Sequence, residues 1–264
     1  GAFPLGFADI NSLIRFVDQN PGAPVTAVMM VYDSPPFSIV GRISQGISGI
    51  EDLEGSVLGA PPPDGAWAQF PILAAVNDID VSTITVEPVG FPTREPMLAE
   101  GNVDAVTGFN FSSYLSLNRL GIPEDDITTI LYADHGVALY GNAVIVNTDF
   151  AAENPDAVRG MLHAIAQGWA AAIADPAAGA AAVIARNPAG DAGLEQRRLE
   201  LAINGNVLTD YVIENGMGNI DPDRMASALE QLELTYTFQA EPHMNLYFTD
   251  AYLPAEDVRM IAPE

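Results

Sequence analysis

Between Thr26 and Val146 short apolar runs of β character alternate with runs suited to helix, and this alternation limits the fold more than any other feature. Thr26–Tyr32 (TAVMMVY) reads as a buried strand and Phe37–Val40 (FSIV) as a second, shorter one. Ser56–Leu58 is strand-like, and after a proline-rich turn a helix spans about Ala66 to Asn77. Ile84–Val89 and Val103–Thr107 (VDAVT) read as strands, as do Ile127–Tyr132 and Ala138–Val146. Between them lie a short helix, Arg94–Glu100, stopped by Gly101, and another, Ser112–Leu120, stopped by Gly121. Asn154-Pro155 and Asp175-Pro176 then each offer a cap followed by proline at the first helical position. Further helices are expected over Gly193–Asn204 and Asp223–Leu232. Repeated βα units with a helical tail predict an α/β protein with mainly parallel sheets.

Charge and residue usage remove several function classes. The chain has 264 residues with a formal net charge of −25, and its basic residues are all arginine. Nucleic acid is excluded as a partner, because binding it needs a basic surface that displaces counterions. An anionic membrane surface is disfavoured for the same reason, and the acidic excess favours a soluble monomer. No uninterrupted apolar run is long enough for a membrane-spanning helix, and no signal peptide is recognisable. Cysteine is absent, which rules out thiolate catalysis, disulfides and cysteine metal sites. The histidines are His135, His163 and His243, and their spacing points to no metal site; no cofactor is expected. There is no G-x-S-x-G, no H-E-x-x-H and, without lysine, no phosphate-binding loop of the G-x-x-x-x-G-K type. The chain reads as a binding protein, not an enzyme.

The alternation is interrupted twice. Residues 33–38 (DSPPFS) and 136–143 (GVALYGNA) each place prolines or glycines between strand-like runs. Read as ordinary loops, they say nothing more. Read as chain crossings, they divide the protein into lobe I (1–36 plus 139–264) and an inserted lobe II (37–138), joined by a two-stranded hinge of the kind that closes on a ligand.

A family resemblance rests on several stretches in order: GFADINSL (6–13), GIEDLEGSVLGAPPPDGA (49–66), EPMLAEGNVDAVTGF (95–109), LYGNAVIVN (139–147) and ENPDAVRGMLHAIAQGWAAAIADPAAGAAAVI (153–184). Together they resemble the periplasmic solute-binding proteins of ABC importers, in the branch of nitrate, sulfonate, taurine and thiamine-precursor receptors. The run from Tyr140 to Pro176 leans towards the thiamine-precursor subgroup. The resemblance implies a two-lobe α/β fold of the type II, venus-flytrap kind. It implies a monomer, periplasmic or lipid-anchored outside the cytoplasm, that delivers a small molecule to a membrane permease. Members of the family begin with a strand, a helix and a strand ahead of the GFAD segment, and that N-terminal strand-helix-strand is expected to be missing here. Eukaryotic relatives that synthesise the thiamine pyrimidine carry a cysteine cluster, so the synthase activity does not carry over.

Ligands of α/β lobes bind beyond the carboxyl ends of strands, where helices begin. Four loops meet that description. The first, Gly6–Asn11, offers Phe7 and Asp9, with Asp9 also a candidate helix cap; Tyr32 ends the TAVMMVY run. The second is the end of GAPPPDGAW, with Asp64, Gly65, Ala66 and Trp67. There Asp64 caps, Gly65 lets a ligand approach the backbone, and Trp67 faces either the ligand or the core. The third is Gly108, Phe109 and Asn110, where Asn110 is equally a plain N-cap. The fourth is Asp134 and His135 with Tyr140 and Asn142, around the return crossing. Aromatic rings beside carboxylates suit a flat, nitrogen-rich ring that donates hydrogen bonds, such as a thiamine pyrimidine precursor. The alternative is an anion receptor of the sulfonate, taurine or nitrate type, which wants arginine or bare helix N-termini. Arg94, at a helix start, is the cation best placed for that role.

Overall fold

The structure is a computed structural model that describes residues 3–262. It divides into two compact units: unit 1 comprises Gly1–Pro35 and Leu139–Glu264, and unit 2 comprises Pro36–Ala138. In chain order, unit 1 begins with strand β1 (Leu5–Asp9), helix α1 (Ile10–Gln19) and strand β2 (Val25–Met30). Unit 2 holds β3 (Phe37–Arg42), β4 (Val57–Ala60), α2 (Gly65–Val76), β5 (Thr85–Pro88), α3 (Arg94–Glu100), β6 (Ala105–Phe109), α4 (Asn110–Arg119) and β7 (Ile127–Leu131). The chain then returns to unit 1 with β8 (Asn142–Asn147), α5 (Thr148–Glu153), α6 (Pro155–Ala174), α7 (Pro176–Arg186), α8 (Ala192–Ala202), α9 (Asp210–Asn215), α10 (Pro222–Glu233) and α11 (Glu256–Arg259).

The mainly parallel sheets expected from the βα alternation are not found. In unit 1 the order is β1-β8-β2, and β8 runs antiparallel to both neighbours. In unit 2 the order is β5-β4-β6-β3-β7; β4 is parallel to β5 and β6, while β3 is antiparallel to β6 and β7. The reversed strands are β3 and β8, the first strand after each passage from one unit to the other. Parallel neighbours need a crossover helix between them, and no helix precedes β3 or β8 within its own unit segment.

The Gly6–Asn11 stretch, expected as a loop, is mostly strand β1, a five-residue edge strand whose burial does not alternate and so gives the sequence no period-two pattern. Residues 138–141, expected as part of a strand, precede β8 and belong to no ladder. Predicted caps fare unevenly. Asp175 accepts from the Ala178 amide, with proline at the next position; α10 begins at Pro222, one residue before the expected Asp223, and is capped by Asp221, which accepts from the Asp223 and Arg224 amides. Asn154 makes no capping bond; its side-chain amide donates to the Phe150 carbonyl at 3.2 Å instead. Gly101 and Gly121 end α3 and α4 in the left-handed region, at φ of 75° and 88°.

Each unit buries its own core. In unit 1, Val158, Leu162 and Ala166 form the inner stripe of α6 and pack with Val144, Val146, Val28 and Met29 of the sheet. Their spacing of four puts them on one helix face. In unit 2, Leu98 and Leu117 pack with Val40, Val103 and Val106. No single helix among the described residues is long and apolar enough to cross a membrane. Leu162 is fully buried in the unit 1 cluster, so Leu162→Ala should lower the stability of unit 1 by about 2–5 kcal/mol, the range for truncating a buried leucine. Residue-resolved hydrogen exchange checks this: protection should fall in β8 and α6 and stay unchanged in α4.

Candidate functional site

In unit 2 the carboxyl ends of the parallel strands β4, β5 and β6 share one edge of the sheet, and each is followed by a helix. Side chains from the starts of all three helices meet there. Asp64 caps α2 by accepting from the Ala66 amide at 3.3 Å, and its Oδ2 accepts from Thr107 Oγ1 at 2.7 Å. Glu95 Oε1 accepts from Arg94 Nε at 2.8 Å, from Arg94 Nη2 at 2.6 Å and from Ser113 Oγ at 2.8 Å. Arg94 Nη1 lies 3.7 Å from Asp64 Oδ2, and the Phe91 ring covers the guanidinium at 5.6 Å. All five polar residues of this network, Asp64, Arg94, Glu95, Thr107 and Ser113, are buried.

Two neighbouring groups show how tightly this corner is packed. A Cβ on Gly108 would sit 2.3 Å from Ser113 Oγ and 3.1 Å from Arg94 Cζ, so only glycine fits between them. Tyr132 donates its hydroxyl to the Ala66 carbonyl at 3.1 Å. Burial, reinforced by the Asp64 charge, pushes the Tyr132 phenol well above its ordinary pKa and keeps it a neutral donor.

The predicted residues of this unit take specific places. Ala66 is fully buried in the first turn of α2. Gly65 is pressed against Phe37, where a Cβ would lie 3.2 Å from the ring, so close packing explains this glycine without a ligand. Trp67 is half-buried and stacks on Phe70 one turn later, with centroids 5.6 Å apart and ring planes at 17°. Phe109 packs against Phe37 and Phe111. Asn110 is not the N-cap of α4: Phe109 occupies that position without a capping side chain. The Asn110 amide donates to the Pro36 carbonyl at 2.9 Å, and its side-chain Oδ1 is buried without a hydrogen-bond partner. Asp134 and His135 do not join this group. The His135 carbonyl accepts from Asn77 Nδ2 at 2.9 Å, at the far end of α2 from Gly65–Trp67, a separation on the order of 15 Å for a helix of this length.

In unit 1 Phe7, Asp9, Tyr32, Tyr140 and Asn142 gather at one end of the three-stranded sheet. Asp9 lies opposite Asn142 in the β1–β8 ladder, and the Asn142 carbonyl accepts from the amides of Val31 and Tyr32. Asp9 is a helix cap, accepting from the Asn11 and Ser12 amides and from both of their side chains. Phe7 meets Tyr32 edge-on at 5.7 Å over a hollow of about 370 Å³ lined also by Met161, Ile165 and Trp169. Tyr140 is fully buried: its hydroxyl accepts from the Asp221 amide at 2.9 Å, and burial raises its pKa.

Sequence reasoning singles out Arg94 and Asp64 but neither Glu95, which binds the Arg94 guanidinium, nor Thr107, which donates to Asp64. The adjacent Arg94-Glu95 pair at a helix start was the available signal. Nothing local could have announced Asp33, Thr209 and Arg224, which converge from positions up to 191 residues apart.

Two α/β units, the second inserted into the first, define the class: the fold is that of the periplasmic binding proteins. Solved structures of that class align over most of the chain. The aliphatic sulphonate binding protein SsuA from Escherichia coli matches with a TM-score of 0.69 at 15% identity, over 89% of this chain and 74% of that one. The alkanesulfonate-binding protein SsuA from Xanthomonas axonopodis pv. citri matches with a TM-score of 0.64 at 18% identity, over 90% and 78%. The chain belongs to the NMT1/THI5 like family, whose model matches residues 1–179. Among curated proteins, the riboflavin-binding protein RibY of Chloroflexus aurantiacus is 25% identical over 174 residues, 65% of this chain and 48% of that protein. The chain thus spans about half the length of the curated relative it matches.

Removing the carboxylate of Glu95 leaves the buried Arg94 guanidinium with only the longer contact to Asp64. Glu95→Ala should therefore cost about 3–5 kcal/mol, the scale of an orphaned buried charge. Urea unfolding followed by Trp67 fluorescence, in a Trp169→Phe background that leaves Trp67 as the sole tryptophan, measures it.

Proposed function

We propose that this chain is the capture component of an ABC importer, working outside the cytoplasm. It would take up a small, flat nitrogen heterocycle by closing its two lobes, and hand it to a membrane permease. The observation that carries the choice of ligand class is the pairing of Arg94. The cation best placed to receive an anion is buried and bonded to Glu95, with Asp64 beyond. Arg42, a second arginine of unit 2, is paired with Asp126 at 2.9 Å. An oxyanion brought to this corner would meet two carboxylates whose only cation is already bonded. A neutral ring with N–H donors would meet acceptors and aromatic faces: Trp67 and Phe109, with Asp64 close by. A thiamine pyrimidine precursor and a flavin both have that chemistry, and the riboflavin-binding name of the curated relative supports the same class.

One observation favours the sulfonate reading. The N-cap position of α4, Phe109, makes no side-chain capping bond, and the structural neighbours named for sulfonates belong to the same fold. Enzymatic turnover has less support. The chain has no cysteine for the chemistry of the thiamine-pyrimidine synthases, and the likeness to the desulfurization enzyme DSZB, at 15% identity, is one of fold.

Thermal shift with riboflavin, an aminopyrimidine, taurine and an alkanesulfonate separates these readings. A rise in melting temperature with either heterocycle and none with the sulfonates is expected; the reverse pattern establishes the anion receptor. Recovery of the heterocycle unchanged is expected after incubation, and its conversion would make the protein an enzyme. For the ligand that binds, Trp67→Ala should weaken affinity by about 1–3 kcal/mol, the scale of one stacking or buried apolar side chain, with the fold retained. Unaltered affinity in that variant would leave the GAPPPDGAW turn as a stiff connector.

A further inference from the structure

The chain passes between the units at Pro35–Pro36 and at Ala138–Leu139. On the unit 1 side of both passages the backbone is held by one side chain. Arg224, in α10, donates through Nη2 to the Asp33 carbonyl at 2.7 Å and to the Leu139 carbonyl at 2.8 Å. Its Nη1 lies 3.2 Å from Asp33 Oδ2, and its guanidinium stacks on the Tyr140 ring at 4.0 Å. The same arginine therefore bonds a residue just before the outgoing passage and a residue at the start of the returning one.

Other groups of unit 1 reinforce this grip. Thr209 Oγ1 donates to Asp33 Oδ2. The Asp221 amide, at the start of α10, donates to the Tyr140 hydroxyl. Ser34 is bracketed by Asn206, which lies in a π-helical turn over Ile203–Val207: the Ser34 amide donates to the Asn206 carbonyl at 3.1 Å, and Asn206 Nδ2 donates to the Ser34 carbonyl at 3.2 Å. The two passing segments also touch each other. The Gly141 amide donates to the Tyr32 carbonyl at 3.0 Å, and a Cβ on Gly141 would lie 2.7 Å from Tyr32 Cβ and 3.1 Å from Pro35 Cα. The planar guanidinium fork suits this role, since it reaches two carbonyls and a carboxylate while its face stacks on a ring; an ammonium group cannot do all three.

We propose that Arg224 is a positioning residue for solute capture. It binds the unit 1 ends of both passages into one rigid piece, so that bending is confined to the residues just beyond, around Pro36 and Gly136–Ala138. Gly136 ends the 3-10 turn Tyr132–His135 with φ of 78°, and hinges are built from a few such loop or element-terminal, often small, residues. The inference rests on the capture function proposed above.

Because the chain has no cysteine, cysteines introduced at the exposed positions Ala171 and Asp125, one in each unit, carry unique spin labels. Pulsed electron resonance then reads the distribution of distances without any ligand. Arg224→Leu and Arg224→Lys should both broaden it, whereas Arg198→Leu, which breaks only a pair with Glu195 within α8, should not. With riboflavin as probe, the two Arg224 variants should bind about tenfold more weakly, as when the closure-competent population falls by that factor. Circular dichroism should show the helix content retained; if the leucine variant does not fold, the lysine variant carries the test. An unbroadened distribution in a folded variant overturns the proposal. So does full rescue by lysine, which would reduce the role of Arg224 to its charge pair with Asp33. If the wild-type protein ignores riboflavin, the ligand reading fails for that compound while the ligand-free distributions still decide the role of Arg224.

Discussion

The pairing of Arg94 with Glu95 and Asp64 is the interaction around which unit 2 is arranged. A buried guanidinium is tolerated only when its donors are satisfied, and here the acceptors come from the starts of two helices. Ser113 and Thr107 complete the acceptor oxygens from a third helix and from β6. The consequence is that α2, α3 and α4 are fixed at one edge of the sheet at once, and Gly108 is required so that β6 can pass beneath them. The same pairing shapes the chemistry of that edge. With its cation engaged, the corner offers carboxylates, a tyrosine hydroxyl already bonded to Ala66, and aromatic rings.

Unit 1 depends on β8 in a comparable way. As the central strand it bonds β1 on one side and β2 on the other, so the two N-terminal strands are held in one sheet by the strand that returns from unit 2. Helix α6 covers this sheet with its apolar stripe, in which Val158 and Leu162 each contribute about 1.5–3 kcal/mol. Strand β1 remains at an edge, with hollows beside it that are lined by Phe7, Met161 and Trp169 on one face and by Phe16 and Leu13 on the other.

Function follows from how these two units handle polar groups. The acidic excess of the chain, −25 in formal charge, is spread over caps, turns and surface pairs. Asp9, Asp64, Asp175, Asp191 and Asp221 each accept from helix amides. Many of the carboxylates that look like candidate ligand groups in the sequence are thus engaged in local structure. That Arg94 is bonded to Glu95 is a property of the fold and not of composition.

What the sequence determined by itself is what short-range physics controls. The Asp-Pro start of α7 and the glycine stops of α3 and α4 act over three or four residues, so they are readable in a row of letters. The α/β character followed from the alternation, and the family from motifs spread along most of the chain. Strand direction was not readable, because a strand that follows a passage between units carries the same apolar run whichever way it points. Residues 138–141 look like strand by composition, yet they are held by Arg224, Asn11 and Tyr32 instead of by a ladder. Likewise Gly65 and Trp67 are read locally as a ligand-ready helix start, while the structure sets one against Phe37 and the other on Phe70. The tertiary structure alone decided these points, since each depends on groups brought together from distant parts of the chain, and no spacing along it encodes which buried donor will find which acceptor.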